Sequence, residues 1–237
     1  MHDHAGSVVQ SHPYFPQDAV VPGYAPNSSP LPVILGAFGL LIGVFLSTCV
    51  ALAKWHSPAI KRVDQLTVAW FALCGFLHVF FEGYFVLNHA VLPSSQSLFA
   101  QLWKEYSLSD SRYMTSDPFM LCIETLTVLT WGPLSLLAAF LAARDRPAER
   151  GIRHLLQAVV CVGHLYGVAL YYGTCGLAER MRNLSYSRPE PLYYWGYYAG
   201  MNAPWAVAPW LLLWQSAKAI RRAFREAAKV EEGKKQL

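Results

Sequence analysis

Five stretches of this chain stay apolar for about 20 residues, the length a helix needs to cross the hydrocarbon core of a bilayer. They run from Val33 to Ala53, Leu66 to Asn88, Met120 to Ala143, Leu155 to Gly176 and Pro191 to Ala217. Inside a bilayer every backbone N–H and C=O must find its partner within the protein, which leaves helices and closed barrels as the spanning forms. Continuous apolar runs of this length select helices. The expected fold class is therefore all-α: a polytopic membrane protein, a bundle of five transmembrane helices. Composition agrees, because 54% hydrophobic against 14% charged residues suits a membrane bundle better than a water-soluble domain. Gly36, Gly39, Gly43, Gly132, Pro133, Pro204 and Pro209 fall inside the runs. Membrane helices tolerate them when neighbours satisfy the freed backbone groups, and kinks near Pro133 and Pro204 would shape a cavity.

The charges give an orientation. No Lys or Arg precedes Lys54, whereas KWHSPAIKR, RDRPAERGIR and KAIRRAFR follow the first, third and fifth runs. The positive-inside bias makes those segments cytosolic. It puts the amino terminus, residues 89–119 and ERMRNLSYSRPEP on the lumenal side, where Arg180, Arg182 and Arg188 weaken the asymmetry. The chain then divides into an irregular lumenal arm (1–31), a five-helix domain (32–217) and a basic cytosolic tail (218–237) that can continue helical through AFREAAKV. The tail ends in KKQL, which matches the di-lysine address of endoplasmic-reticulum membrane proteins, a receptor-read signal and not an anchor. The amino terminus lacks the basic start and early apolar stretch of a signal peptide, so the first run is expected to remain as an anchor.

Other motifs are weaker. Asn27 and Asn183 are formal glycosylation acceptors on the expected lumenal side. His2, His4 and His12 stand among prolines in a stretch that reads as a mostly irregular arm before it reads as a set of metal ligands. Five cysteines, Cys49, Cys74, Cys122, Cys161 and Cys175, all lie in apolar runs without a CxxC spacing. They are expected to be packing residues, with no disulfide framework and no zinc site. A formal charge of +4 spread over short clusters leaves no footprint for nucleic acid.

Ionisable residues in a span cost several kcal/mol, face a cavity or a partner, and are candidates for function. In CGFLHVFFEGYF (74–85), His78 and Glu82 are four apart and share a helix face. Glu124 lies near the lumenal start of the third run and Asn202 within the fifth. At about 1.5 Å per residue these four sit roughly 6 to 16 Å from the lumenal ends, so they can converge in one half of the bundle. A structural polar cluster and a proton path are alternatives. Acid–base chemistry on an apolar molecule suits the set better: a buried carboxylic acid keeps its proton and can donate it, and a neighbouring histidine can hold or pass one. The second and fifth runs are rich in aromatic rings, among them Trp70, Phe81, Tyr84, Tyr198 and Trp205. Their faces attract cations within about 6 Å, so an acid, a base and aromatic walls could protonate an alkene, hold the cation and remove a different proton.

The stretches WFALCGFLHVFFEGYFVL (70–87), LWKEYSLSDSRY (102–113), CIETLTVLTWGPLSL (122–136), LYGVALYY (165–172) and PLYYWGYYAGMNAPW (191–205) resemble, in order, the emopamil-binding protein family of sterol Δ8-Δ7 isomerases. The resemblance covers most of residues 30–217 and implies an EXPERA-type isomerase domain, homodimeric, in the endoplasmic-reticulum membrane. The implied reaction, a step of sterol biosynthesis, adds a proton at C9, leaves a cation at C8 and loses a proton from C7. His78, Glu82 and Glu124 match the family's catalytic positions. His78 with Glu82 is assigned the C9 proton and Glu124 the C7 proton, although the two roles can be exchanged. Thr127, Asn202 and Trp205 match pocket positions, Trp205 facing the cation, and Tyr106, Asp110, Arg112 and Tyr113 match a loop that closes or orders the pocket. The resemblance implies no metal or organic cofactor, a sterol entering from the bilayer, and lipophilic amines as inhibitors that mimic the cation.

Two features depart from the family pattern. His164, counted with the pocket positions, stands where the family has Gln: it changes the substrate fit, tunes the proton relay or, the favoured reading, replaces one hydrogen-bonding side chain with another. The segment GTCGLAERMRNLSYSRPEP (173–191) is unlike family members and leaves the preferred sterol open. The alternatives to a sterol isomerase are a relative acting on another polycyclic terpenoid and a non-enzymatic sterol or amine binder.

Overall fold

The computed structural model describes residues 11–235, and the described residues contain helices and no strand. Four helical segments are long and apolar enough to cross a membrane: Leu31–His56, Arg62–Asn88, Pro118–Arg144 and Pro147–Arg182. They correspond to the first four apolar runs and extend past them, the fourth most of all. The fifth run begins as π-helical turns at Leu192–Met201 and continues as an α-helix, Asn202–Lys235. That helix outlasts the apolar stretch and carries Lys234 and Lys235 at its end. The di-lysine reading also needs Gln236 and Leu237, and these, like His2 and His4, lie outside the described residues.

In chain order the α-helices are α1 (Leu31–His56), α2 (Arg62–Phe76), α3 (Gly83–Asn88), α4 (Leu98–Tyr106), α5 (Pro118–Leu126), α6 (Gly132–Arg144), α7 (Arg150–Arg182) and α8 (Asn202–Lys235). π-helical segments join α2 to α3 (Leu77–Glu82) and α5 to α6 (Thr127–Trp131). A π segment widens the helix and is common at functional sites; the first contains both His78 and Glu82. Carbonyls that its geometry releases need other donors, and Trp103 Nε1 donates to the Phe81 carbonyl at 3.0 Å. Leu87, Leu129 and Trp210 lie exposed on the outside of the bundle, as lipid-facing residues do.

The helices begin and end for local reasons. Asp117 caps α5, its carboxylate accepting from the backbone N–H groups of Phe119 and Met120 at 3.0 Å, with Pro118 at the first helical position. Ser97 caps α4 in the same way through the Ala100 N–H. α6 and α7 both terminate in left-handed residues, Asp145 and Asn183. Asn183 is exposed there, whereas the Asn27 amide donates to the Gln101 carbonyl at 2.9 Å inside the cap.

At one end of the bundle the arm, α4 and the segment 107–117 form a packed cap. The described part of the arm, residues 11–30, is irregular in backbone, as the sequence suggests, and it packs into the cap. Tyr14 and Val21 are buried with Phe85, Leu92, Trp103, Tyr113 and Met120 in a single apolar cluster. His12 bonds within the arm, to the Ala19 carbonyl at 2.6 Å. Lys104 lies beneath the arm, its ammonium donating to the Ala25 carbonyl at 2.9 Å; burial lowers its pKa from the ordinary lysine value.

Close helix approach holds the middle of the bundle. At Gly132 a Cβ atom would lie 2.8 Å from Val79 Cγ2 and 3.2 Å from His78 Cβ, so only glycine lets α6 sit against the first π segment. Gly132→Ala is expected to cost about 1–3 kcal/mol through overpacking and to lower any activity that depends on His78. Thermal midpoints together with turnover would check this. An unchanged midpoint and rate would mean that the π segment is free to shift.

Candidate active site

Three elements bring the candidate catalytic residues together. The first π segment supplies His78 and Glu82, α5 supplies Glu124, and α7 supplies His164. His78 Nδ1 lies 2.8 Å from both carboxylate oxygens of Glu82, because the four-residue spacing puts the ring directly over the acid. On its other side His78 Nε2 faces His164 Nε2 at 3.0 Å. Both imidazoles are 4% exposed. With the His78 Nδ1–H donating to Glu82, the His78 Nε2 lone pair accepts the proton of His164.

Glu124 is buried and its carboxyl stands next to that of Glu82, a partner for proton exchange through a hydrogen bond. Such a bond requires a proton on one of them. The other lobe of Glu124 is oriented from the cap, where Tyr113 Oη donates to its Oε1 at 2.7 Å. Burial pushes the Tyr113 phenol well above its ordinary pKa and so keeps it a donor. His164, His78, Glu82, Glu124 and Tyr113 thus form one continuous polar chain through an otherwise apolar interior. It can hold at least one mobile proton and pass it between neighbouring groups.

The remaining sequence candidates fall into two groups around this chain. Asn202 Nδ2 donates to Tyr106 Oη at 2.9 Å, and Tyr106 meets Tyr171 Oη at 3.2 Å. Trp205 pairs with Trp70 at a ring separation of 5.4 Å, and the indole nitrogens of both are buried without a hydrogen-bond partner. The Thr127 hydroxyl returns to the Ile123 carbonyl of its own helix at 2.9 Å.

Asp110 and Arg112 meet each other in the cap. Arg112 Nε lies 2.9 Å from Asp110 Oδ1 and Nη2 lies 2.6 Å from Oδ2, with Asp110 fully buried. Arg112 also reaches Thr174 Oγ1 and Cys175 Sγ, each at 2.9 Å. All five cysteines are free, as expected, but Cys175 is a polar partner of Arg112 as well as a packing residue. Burial works against the guanidinium charge, and Asp110 more than offsets it, so the arginine pKa is raised.

Sequence reasoning left out Trp103 and Tyr171 as site-supporting residues, although both stand in stretches already singled out. An aromatic-lined cavity at the cap end, bounded by Tyr172, Tyr186, Trp195 and Tyr198, includes none of the acid–base residues. The candidate acid–base residues thus lie in the polar chain and not in this concavity.

Residues 98–216 match the family model described as EXPERA (EXPanded EBP superfamily). The mouse protein named 3-beta-hydroxysteroid-Delta(8),Delta(7)-isomerase is 35% identical over 219 residues, covering 92% of each chain. An Arabidopsis thaliana protein named as a probable isomerase of the same kind is 32% identical over 212 residues, covering 89% of each. Isomeliandiol synthase MOI2 of Melia azedarach is 35% identical over 168 residues, 69% of this chain and 75% of the relative.

Proposed function

Because the chain belongs to the EXPERA (expanded EBP) superfamily, we propose that it is a sterol Δ8-Δ7 isomerase and that the His78–Glu82–Glu124 set performs the chemistry. The observation that carries this reading is the gathering of His78, Glu82 and Glu124, two of them buried and the third half-buried, into one polar chain inside a lipid-facing bundle. The His78–Glu82 pair protonates C9 of a sterol with its double bond at C8=C9. The resulting C8 cation lies against the Trp70–Trp205 wall, and Glu124 removes a proton from C7 to give the C7=C8 product. C7 and C9 are both bonded to C8, so two adjacent carboxyl groups serve both positions without the substrate moving. One proton enters and one leaves, and the polar chain returns it from acceptor to donor between turnovers.

The same reading gives the setting. Leu192 to about Ala217 forms the fifth crossing, with the amino terminus and cap lumenal and the end of α8 cytosolic, in the endoplasmic-reticulum membrane as a homodimer. A ring nitrogen of a lipophilic amine, protonated, would take the place of the cation between the aromatic wall and the carboxylates. The sterol enters from lipid.

Conversion of a Δ8-sterol such as zymostenol by the detergent-purified chain tests the proposal, with products separated by chromatography and identified by mass spectrometry. A Δ7 product supports it. Tight sterol binding without product would transfer the same acid–base set to another polycyclic terpenoid, the class suggested by the likeness to isomeliandiol synthase, or to a binding role.

A further inference from the structure

Cys74 has no part in the isomerisation scheme, yet it lies one turn before His78, fully buried. Its sulfur and ring nitrogens of His78 and His164 form a group whose ligating atoms are all within 4.8 Å of one another. Thiolate and imidazole are the donors that zinc and other borderline metals select, whereas magnesium and calcium take oxygen. The group also has the outer support of a metal site. Glu82 holds His78 from behind at Nδ1, 2.8 Å away, which fixes the tautomer and makes Nε2 the free, more basic nitrogen. His164 Nδ1 is buried without a partner, so no contact on that side dictates where its proton sits. The 3.0 Å contact carries the His164 proton on Nε2, and a cation that takes the place of that proton between the two Nε2 atoms moves it to the free Nδ1.

We propose that Cys74, His78 and His164 bind a zinc-class ion, and that the bound ion stops turnover by occupying His78. The inhibition rests on the isomerase reading; the binding does not. Zinc bonds nitrogen at about 2.0–2.1 Å and sulfur at about 2.3 Å, so its donors settle about 3.5 Å apart: the two imidazole nitrogens, 3.0 Å apart, open by a few tenths of an ångström, and the sulfur, within 4.8 Å of them, moves to match. Binding displaces the thiol proton to solvent and turns the His78 Nε2 lone pair into a metal bond. His78 can then neither hold nor pass a proton, while Glu82 remains its outer partner. Sequence spacing gave no zinc signature because His78 and His164 are 86 positions apart and meet only in the fold.

The test uses the full purified chain freed of metal by chelator and titrated with Co2+, a spectroscopic stand-in for zinc. A sulfur-to-metal charge-transfer band with tetrahedral visible absorption, saturating at one ion per chain and displaced by Zn2+, is expected. Cys74→Ser should abolish the charge-transfer band and raise the inhibitory zinc concentration about tenfold or more, with activity in chelator within about twofold of the parent because its size is kept. Cys74→Ala provides the same comparison should the serine variant fold poorly, and His164→Gln should weaken Co2+ binding. An unchanged band in both Cys74 variants, or equal zinc inhibition of the parent and both variants, would overturn the proposal. A Co2+ site in protein that converts no sterol would support the metal site and count against the isomerase reading alone.

Discussion

Glu124→Gln and Glu82→Gln are each expected to lower the rate of Δ8-to-Δ7 conversion by about 10²–10⁴-fold, the usual contribution of a positioned acid or base. Glutamine keeps the size of the side chain and one carbonyl oxygen, so Tyr113 can still donate at position 124 and His78 can still donate at position 82. What is lost is the ability to exchange a proton. The effect should therefore fall on kcat with sterol affinity retained, the pattern of an interaction made only in the transition state. Since the two carboxyls are neighbours acting in one reaction, their losses should not multiply, and the double variant is expected to be about as slow as the slower single one. Near-normal turnover in both single variants would remove the acid–base scheme altogether. Loss in only one would assign both proton transfers to that carboxyl.

How far this was legible in the sequence depends on what each feature requires. Hydropathy marks where helices run, because the bilayer imposes their length, and the first four runs are the four candidate spans. It does not mark where a helix widens. The π segment at Leu77–Glu82 has no compositional signature, for it is set by packing against Gly132 and by Trp103 binding the Phe81 carbonyl. The His78–Glu82 contact was readable because it is local, four positions along one helix. The contacts of His78 with His164 and of Glu124 with Tyr113 join different elements, and no single-element pattern announces them. The same holds for the arm: prolines and histidines suggest an irregular stretch of chain but not what it packs on, and burial of Tyr14 and Val21 is decided by the surface that α4 and α5 present. His164 shows the limit most clearly, since the residue identity was visible as a departure from the family pattern but its partner was not.

Arg112→Leu is expected to destabilise the protein by about 3–5 kcal/mol, a fall in Tm of roughly 6–20 °C for a chain of this size. The cause is the carboxylate left behind. Asp110 is fully buried and its two oxygens are paired by the guanidinium, so removing the arginine strands a charge in an apolar cap. Arg112→Lys should recover only part of the loss. An ammonium cannot match both oxygens at once while also reaching Thr174 and Cys175, and it stacks less well between Tyr171 and Tyr186, whose rings lie 5.4 and 5.0 Å from the guanidinium carbon. Removing both charges, Asp110→Ala with Arg112→Leu, should restore more stability than either single change predicts, because no unpaired charge remains. Turnover should not return with it. Tyr113 follows Arg112 directly and donates to Glu124, so the pair fixes the loop that aims one of the two carboxyls proposed to move the protons. A double variant that melts near the parent temperature but turns over slowly would separate these two roles of the cap. Full activity in that variant would instead assign the pair to stability alone and leave Tyr113 positioned by the aromatic cluster of Phe85, Trp103 and Tyr106.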